Sequence, residues 1–299
     1  MPWYIFATLT PIFYSFTNFI EKFLIEKRIK NPLVLLVVSG FISLFIGLAI
    51  LVVRDFPTLG LKQTAIIIFA GLLLKLYLIP YLQALKIEDA SRVVPLFQIV
   101  PIVVLSLAWL ILGETMRPIQ IVGAVLVVFG GLILGGEKIK GKVFKIRKAF
   151  WYMMLSSIMY ASILVLFRIS VKENSVWNLL GYEYIGTGIG GLILLTVPSI
   201  KKSFLQEFNQ VKKIFGYVFI NDSFAIVAQV AEAVAISMVP VALVSIVAGT
   251  QPIILLIFGI LLSIFFPKII KEDIAKKTIL NKIASIALIF FGLYLVYFN

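Results

Sequence analysis

The sequence contains no histidine and no cysteine among its 299 residues. These absences exclude imidazole proton relays, the usual zinc sites, thiol nucleophiles and disulfides, so we expect no metal and no cofactor. Charge is also scarce, because 14% of the residues are charged whereas 61% are hydrophobic. A soluble domain has roughly 25% charged and about 45–50% apolar residues. The composition therefore predicts an all-α integral membrane protein.

Apolar segments of about 20 residues, the length that crosses a ~30 Å hydrocarbon core, alternate with short polar loops. Ten transmembrane helices are predicted, at residues 3–20, 33–53, 63–85, 92–112, 118–134, 149–170, 177–198, 215–236, 241–265 and 279–298. The chain thus has the layout of a polytopic membrane protein.

Lys and Arg are distributed unequally between the loops. They number 27 against 14 Asp and Glu, and the net charge of +13 would suggest nucleic acid in a soluble protein. Here 21 of them follow odd-numbered segments, five lie on the other side, and Lys75 lies inside a segment. Because basic loops stay in the cytoplasm, we predict a cell-membrane protein with both termini extracytoplasmic. The expected partners are the lipid bilayer and a small-molecule solute, not nucleic acid, and the chain is expected to be a monomer or homodimer.

The sequence has two similar halves, residues 1–136 and 149–299, joined by a basic linker at 137–148. The matches at an offset of 151 are Ala84 with Ala235, Ser91 with Ala242 and Pro101 with Pro252, and those at 146 are Tyr14 with Tyr160 and Lys22 with Arg168. Five spans is an odd number, so the second repeat is expected to be inverted in the membrane. Inverted repeats are typical of secondary transporters, whose substrate site lies near the midplane between the halves.

Several motifs occur in order in the first half and more loosely in the second. They are Asn18-Phe19-x-x-Lys22, Ala84-Leu85…Ala90-Ser91, Pro101 twelve residues before Gly113-Glu114, and Gln120-x-x-Gly123…Gly130. In this combination the chain resembles the drug/metabolite transporter superfamily, in particular its ten-helix EamA-type members. The resemblance implies an exporter or exchanger of small metabolites and not an enzyme. It also implies that helices 1–4 and 6–9 surround a central cavity, with helices 5 and 10 outside it.

Lys75 and Asp222 are charged residues inside predicted spans, where charge is costly unless it faces a cavity or a partner. At 1.5 Å per residue, they lie about 12 Å and about 10 Å from the cytoplasmic face of a ~30 Å core. We therefore predict that both side chains line one cavity and bind substrate, with an ion pair as one possible arrangement. Lys75 favours a carboxylated or phosphorylated solute over a cationic drug.

Glu183 and Glu232 lie toward the opposite membrane face and are candidates for proton coupling. Asp222, Gln229 and Glu232 fall within about 80° of one helical face, as expected for a polar stripe that faces the bundle interior. Gln229 is therefore a further substrate-binding candidate. For Glu232 the alternative is a structural salt bridge with Arg168.

Uncharged side chains are weaker substrate-binding candidates. For Gln83, Gln98 and Gln251 two roles are open, contact with substrate and hydrogen bonding between helices. Tyr14 and Tyr160, which the repeat pairs, are candidates for an aromatic cavity wall. The alternative for both tyrosines is packing or an interfacial belt.

Prolines and glycines mark special points in the spans. Pro101 and Pro252 are predicted to kink helices 4 and 9 and are hinge candidates, although kinks are common without function. The glycine-rich run 186–191 follows no strand, so close helix packing is favoured over a phosphate-binding loop. Glu114, at the end of helix 4, is expected to bridge to Arg117.

These features predict a secondary transporter of small organic metabolites that works by alternating access. No nucleotide-binding motif is present, so a proton gradient or exchange is the expected energy source. A membrane-embedded lipid flippase is the first alternative. An intramembrane enzyme is less favoured, because the sequence has no Asp-rich metal motif and no serine–histidine pair.

Overall fold

The computed structural model describes residues 2–88, 93–135, 148–265 and 276–297. Within these ranges the chain forms helices and no strand, which confirms the all-α prediction. The α-helices are α1 (Trp3–Lys27), α2 (Leu33–Val53), α3 (Leu61–Leu76), α4 (Leu78–Ile87), α5 (Ile99–Leu107), α6 (Pro118–Gly135), α7 (Lys148–Val171), α8 (Val176–Leu194), α9 (Pro198–Met238), α10 (Val241–Ala248), α11 (Gln251–Phe265) and α12 (Lys276–Tyr297). A 3-10 turn at Val94–Gln98 precedes α5, and a π-helical turn at Ala108–Leu112 follows it.

Several helices are long and apolar enough to cross a membrane. Five stretches qualify by length and composition, at Leu33–Val53, Leu61–Ile87, Lys148–Val171, Pro198–Met238 and Val241–Gly259. Shorter apolar helices lie at Leu96–Leu112, Pro118–Gly130 and Ile286–Val296. The described chain therefore has the helices of a multi-pass membrane protein.

Both spans with a predicted kink are interrupted just before the proline, and so is the span that contains α3 and α4, which breaks at Tyr77 before Pro80. The 3-10 turn at Val94–Gln98 precedes Pro101, and the break between α10 and α11 at Gly249 and Thr250 precedes Pro252. A proline ring clashes with the carbonyl four residues earlier and removes one helical hydrogen bond. The regular helix is therefore lost about one turn before each proline, including the two at which the sequence predicts a kink.

Helix α9 is longer than predicted, because the chain is already helical from Pro198 and not only from residue 215. Its 41 residues span about 60 Å at 1.5 Å per residue, roughly twice the hydrocarbon thickness. Buried Val211 and Ile214 pack its first part into the cluster formed by the ends of α1 and α2. The Glu207 carboxylate also accepts hydrogen bonds from backbone N–H groups of the α1–α2 turn. An amphipathic helix thus replaces the expected loop.

The helices of the first half pack chiefly against helices of the second half. Both α2 and α3 pack on α8, α1 packs on α9, α4 and α5 pack on α7, and α6 packs on α12. The two halves are therefore interleaved in one bundle.

Helix α8 approaches α2 and α3 so closely that only glycine fits at the contacts. A Cβ atom added at Gly191 would lie 2.6 Å from the Cα atom of Gly40, and one added at Gly186 would clash with the backbone oxygen of Ile68. The glycine-rich run 186–191 thus serves close helix packing, as the sequence indicates.

We expect Gly191→Ala to lower the free energy of unfolding by about 1–3 kcal/mol, the usual effect of extra atoms in a packed core. The added methyl group would meet the backbone of Gly40. Gly216→Ala is the matched control, because a Cβ atom there would meet nothing within 4 Å. Thermal unfolding of both purified variants measures the difference. An unfolding midpoint for Gly191→Ala at or above the wild-type value would contradict the close packing.

Candidate functional site

A cavity lies at the centre of the bundle, between helices α1–α5 and α7–α11. Its volume is about 160 Å³. Since one water needs about 10–15 Å³ of such space, the cavity has room for a solute of roughly ten non-hydrogen atoms. Among the described side chains, none from α6 or α12 lines it. The cavity is therefore a candidate site for a small solute.

Lys75 and Asp222 both line this cavity. Lys75 is only 3% exposed, and its ammonium group donates a hydrogen bond to the Ser39 hydroxyl at 2.6 Å. The carboxylates of Asp222 and Glu21 lie close enough to interact with it electrostatically. Within the described part of the chain, no direct ion pair joins Lys75 to Asp222. The two residues share a cavity without a salt bridge.

Glu21 is a cavity carboxylate that the sequence analysis missed. The Gln251 amide donates to Asn18 Oδ1 at 2.7 Å, and Asn18 Nδ2 donates to the Tyr81 hydroxyl at 2.7 Å. That hydroxyl donates in turn to the Glu21 carboxylate at 3.0 Å. The first predicted span ended one residue before Glu21, whereas α1 continues well past it. The available signal was the three-residue spacing from Asn18, which puts both side chains on one helix face.

Glu232 lies ten residues after Asp222 on α9, or about 15 Å along the helix. It is 3% exposed, and its Oε2 accepts a hydrogen bond from the Tyr160 hydroxyl at 2.6 Å. Its Oε1 has no hydrogen-bond partner among the described residues. Gln229 donates to Glu183 at 2.9 Å. Tyr160, Gln229 and Glu232 line the cavity, whereas Glu183 is buried behind this wall.

Two aromatic rings lie next to Tyr160, the side chain that donates to Glu232. The centroid of the Tyr160 ring lies 5.0 Å from that of Tyr77 and 6.3 Å from that of Phe97. Tyr14 lines the same cavity. The two tyrosines that the repeat pairs, Tyr14 and Tyr160, therefore both belong to the wall of the cavity.

The remaining candidates differ in their positions. Gln98 and Gln251 line the cavity and also hydrogen-bond between helices, with the Gln98 amide donating to a carbonyl at the α10–α11 break at 2.9 Å. Gln83 is half-buried and lies outside the cavity lining. Pro101 lines the cavity, and Pro252 does not.

Arg168 joins several helices beyond the Glu232 end of the cavity. Its guanidinium pairs with Glu114 at 2.7 Å and donates to the Ile236 carbonyl at 2.6 Å. Glu114, expected to bridge to its neighbour Arg117, reaches across the bundle and also accepts from the first N–H group of α10 at 3.2 Å. The alternative prediction for Glu232, a salt bridge with Arg168, is therefore wrong, because the carboxylate that Arg168 contacts is that of Glu114.

Beyond the opposite end of the cavity, Lys22 makes a contact equivalent to the one that Arg168 makes with the Ile236 carbonyl. Its ammonium group donates to the carbonyls of Leu85 and Glu88, each at 2.9 Å. The repeat matches Lys22 with Arg168 at an offset of 146, and Leu85 with Ile236 at 151. At each end of the cavity, a basic side chain of one helix thus donates hydrogen bonds to the last turn of another helix. We name these the Lys22 clasp (Lys22, Leu85, Glu88) and the Arg168 clasp (Arg168, Glu114, Ile236).

The carboxylates of the cavity are distributed along its wall. Among the described residues, no group of three or more Asp or Glu side chains could hold a metal ion.

Apolar helices thus surround a central cavity whose wall combines polar and apolar side chains, an arrangement found in membrane transport proteins. The model of the EamA-like transporter family matches residues 1–136. The uncharacterized protein MJ1333.1 of Methanocaldococcus jannaschii is 31% identical over 137 residues, which are 44% of this chain and 93% of that protein. The chain belongs to the EamA-like transporter family, within the drug/metabolite transporter superfamily.

The fold agrees with a solved structure as well. One protein crystal structure matches with a TM-score of 0.65 over 98% of this chain and 97% of its own, at 14% identity. At that identity the likeness shows the fold alone. The family assignment places the chain among membrane transporters of small molecules and not among enzymes.

We expect Arg168→Met and Glu114→Gln each to lower the unfolding temperature. The two side chains are only 14% and 11% exposed, and removing one partner of a buried pair typically costs about 3–5 kcal/mol. The double variant should lose much less than the sum of the single losses. Thermal unfolding of all four proteins measures this coupling. Additive losses would show that the two residues do not act as a pair.

Proposed function

We propose that the protein is a secondary transporter of a small organic solute, which binds in the central cavity and crosses the membrane by alternating access. The observation that carries the proposal is the pair of clasps beyond the two ends of a polar cavity. Lipid cannot hydrogen-bond a polar solute, so a carrier needs an enclosed polar site with two ends that open separately. The clasps are the contacts that would have to break at each end.

The proposed architecture is a pair of inverted five-helix repeats, residues 1–136 and 149–299. Reciprocal packing supports it, since α1 packs on α9 and α10 while α7 packs on α3, α4 and α5. The bond from Gln98 to the Gly249 carbonyl joins two positions that differ by the repeat offset of 151, as expected near a twofold axis. The relative from Methanocaldococcus, in which 137 residues make up 93% of the chain, has about the length of one repeat.

The proposed orientation puts the Lys22 clasp on the cytoplasmic side of the plasma membrane and both termini outside, because basic residues concentrate on that side. Transport would be driven by protons or by exchange. Glu232 is the preferred coupling residue, since its Oε1 is buried and lacks a partner among the described residues. Glu183 would contribute through Gln229. The helix breaks before Pro101 and Pro252 are the proposed hinges.

A lipid flippase is the alternative function. Liposomes that contain the protein and fluorescent phosphatidylcholine distinguish the two functions. We expect the dithionite-accessible fraction of the lipid to stay at the value for protein-free liposomes. Its rise toward complete accessibility would favour the flippase.

Lys75→Met should lower solute exchange at least tenfold, because Lys75 is the only basic side chain on the described cavity wall. A thermal-shift screen of metabolites on the purified protein first identifies a solute that stabilises it, and exchange of that labelled solute is then measured in proteoliposomes. Lys202→Met, on the exposed face of α9, is the matched control. Unchanged exchange in Lys75→Met would remove Lys75 from the site, and no exchange in the wild type would contradict the transporter.

Alternating access can be tested without knowing the solute. Because the native chain has no cysteine, Ser245→Cys supplies a single thiol on the cavity wall. We expect Lys22→Met to increase labelling of this thiol by an impermeant reagent added on the cytoplasmic side. Arg168→Met, or the milder Glu114→Gln, should increase labelling from the opposite side. An increase from the same side in both clasp variants would contradict the proposal, and Lys202→Met again serves as the control.

A further inference from the structure

The first turns of α9 lie against the ends of neighbouring helices, on the same side of the bundle as the Lys22 clasp. Buried Ile200 belongs to the apolar cluster that also contains Leu194, the last residue of α8. The Ser203 hydroxyl accepts a hydrogen bond from the Asn31 side chain of the α1–α2 turn at 3.0 Å. One side of these turns is thus fixed to the bundle, and the opposite side faces outward.

The outward side of the helix has two distinct faces. At about 3.6 residues per turn, one face carries large apolar side chains that are between 43% and 62% exposed, with two exposed lysines among them. We name it the α9 stripe (Lys201, Leu205, Phe208, Lys212, Phe215 and Phe219). The adjoining exposed face is polar and carries Lys202, Gln206, Asn209 and Lys213.

The α9 stripe continues without a break into the part of the helix that crosses the membrane. Phe215 and Phe219 lie inside the predicted span at 215–236, where exposed apolar side chains face lipid. The Lys212 ammonium lies 4.7 Å from the centroid of the Phe208 ring, as expected for a long side chain that covers apolar surface while its charge reaches the headgroups. The stripe therefore has the character of a surface at the membrane interface.

The segment is also strongly basic. Residues 198–220 contain four lysines and a single acidic residue, Glu207, whose carboxylate binds backbone N–H groups of the α1–α2 turn. Exposed Arg28 lies nearby, because its guanidinium is 5.5 Å from the centroid of the Phe23 ring, which is 5.9 Å from that of Tyr217. Positive charge beside an exposed apolar stripe is complementary to anionic headgroups above their acyl chains.

We propose that the α9 stripe lies in the membrane interface and binds anionic phospholipids. Leu205 and Phe208 contact acyl chains, and Lys201 and Lys212 contact headgroup phosphates. A lysine near an anionic membrane surface strengthens binding by about fivefold. None of the residues of the stripe lines the central cavity, so the proposal does not depend on the solute or on the energy source. In the proposed orientation these lipids belong to the cytoplasmic leaflet.

Single cysteines measure where the stripe lies, because the native chain has none. Spin labels on Leu205→Cys and on its neighbour Gln206→Cys are compared in the full-length protein, in liposomes of phosphatidylcholine and phosphatidylglycerol. Power-saturation electron paramagnetic resonance measures the accessibility of each label to oxygen, which concentrates in lipid, and to a water-soluble nickel chelate. We expect oxygen accessibility to dominate at Leu205→Cys and chelate accessibility to dominate at Gln206→Cys.

Two outcomes of this comparison would overturn the proposal. A Leu205→Cys label that is more accessible to the chelate would mean that the stripe faces water. A Leu205→Cys label that is accessible to neither reagent would mean that protein, such as a second copy of the chain, covers the stripe.

Lipid selectivity tests the role of the lysines. Spin-labelled lipids measure the association constant of phosphatidylglycerol at the protein surface relative to that of phosphatidylcholine. The wild type should prefer phosphatidylglycerol at least twofold, and Lys201→Gln combined with Lys212→Gln should lose at least half of this preference. The matched control, Lys202→Gln combined with Lys213→Gln, removes the same charge from the polar face and should lose less.

No preference in the wild type, or an equal loss in both double variants, would overturn the proposal. All four lysines are exposed, so the double variants should keep the unfolding temperature of the wild type. Should either of them fail to fold, the wild-type selectivity and the comparison of Leu205→Cys with Gln206→Cys still decide.

Discussion

A polar side chain inside this bundle must find its partner within the protein, because the hydrocarbon core offers no hydrogen bonds. This constraint gathers polar side chains of nine α-helices and of the 3-10 turn into one cavity. The hydrogen bonds that link Gln251, Asn18, Tyr81 and Glu21 connect three helices in this way, as the bond from Tyr160 to Glu232 connects α7 with α9. Glycines allow α8 to pack closely against α2 and α3, and this packing stabilises the wall of the cavity.

The two ends of the cavity use related but unequal chemistry. In the Lys22 clasp a flexible ammonium group contacts two backbone carbonyls. In the Arg168 clasp a guanidinium contacts one carbonyl and is also paired with a carboxylate that binds the start of α10. Both contacts are charge-assisted, because the donor is ionised in each, and Lys22 also pairs with the Glu26 carboxylate at 3.2 Å.

Much of the fold could be predicted from the sequence, because hydrophobic length and Lys/Arg distribution are direct consequences of the bilayer. Depth in the membrane, together with the repeat equivalence of the third and eighth predicted spans, predicts that Lys75 and Asp222 share one cavity, since the rise of a helix fixes the height of each residue. The first turns of α9 could not be predicted, because packing against α1 and α2 and hydrogen bonds to Glu207 stabilise them. Local hydropathy carries no information about such tertiary contacts.

The partners of the charged groups could not be predicted from the sequence either. Glu114 and Arg168 are 54 residues apart and meet only once the bundle is formed, with the left-handed Gly113 (φ 62°) preceding Glu114 at the end of the fourth span. Glu21 was missed for a different reason, since the hydrophobic run ends before the helix does. Hydropathy marks where a helix is apolar, and not where its hydrogen bonds stop.

The central claim is that the two ends of one cavity open in turn. Spin labels on cysteines introduced into the cysteine-free chain measure this directly, with one pair at Lys86 and Lys213 near the Lys22 clasp and another at Lys172 and Ser237 near the Arg168 clasp. Double electron–electron resonance measures the distance within each pair in lipid. With Lys22→Met or Arg168→Met introduced separately, one distance should lengthen while the other stays short. If both distances lengthened together, or neither changed, alternating access would be contradicted.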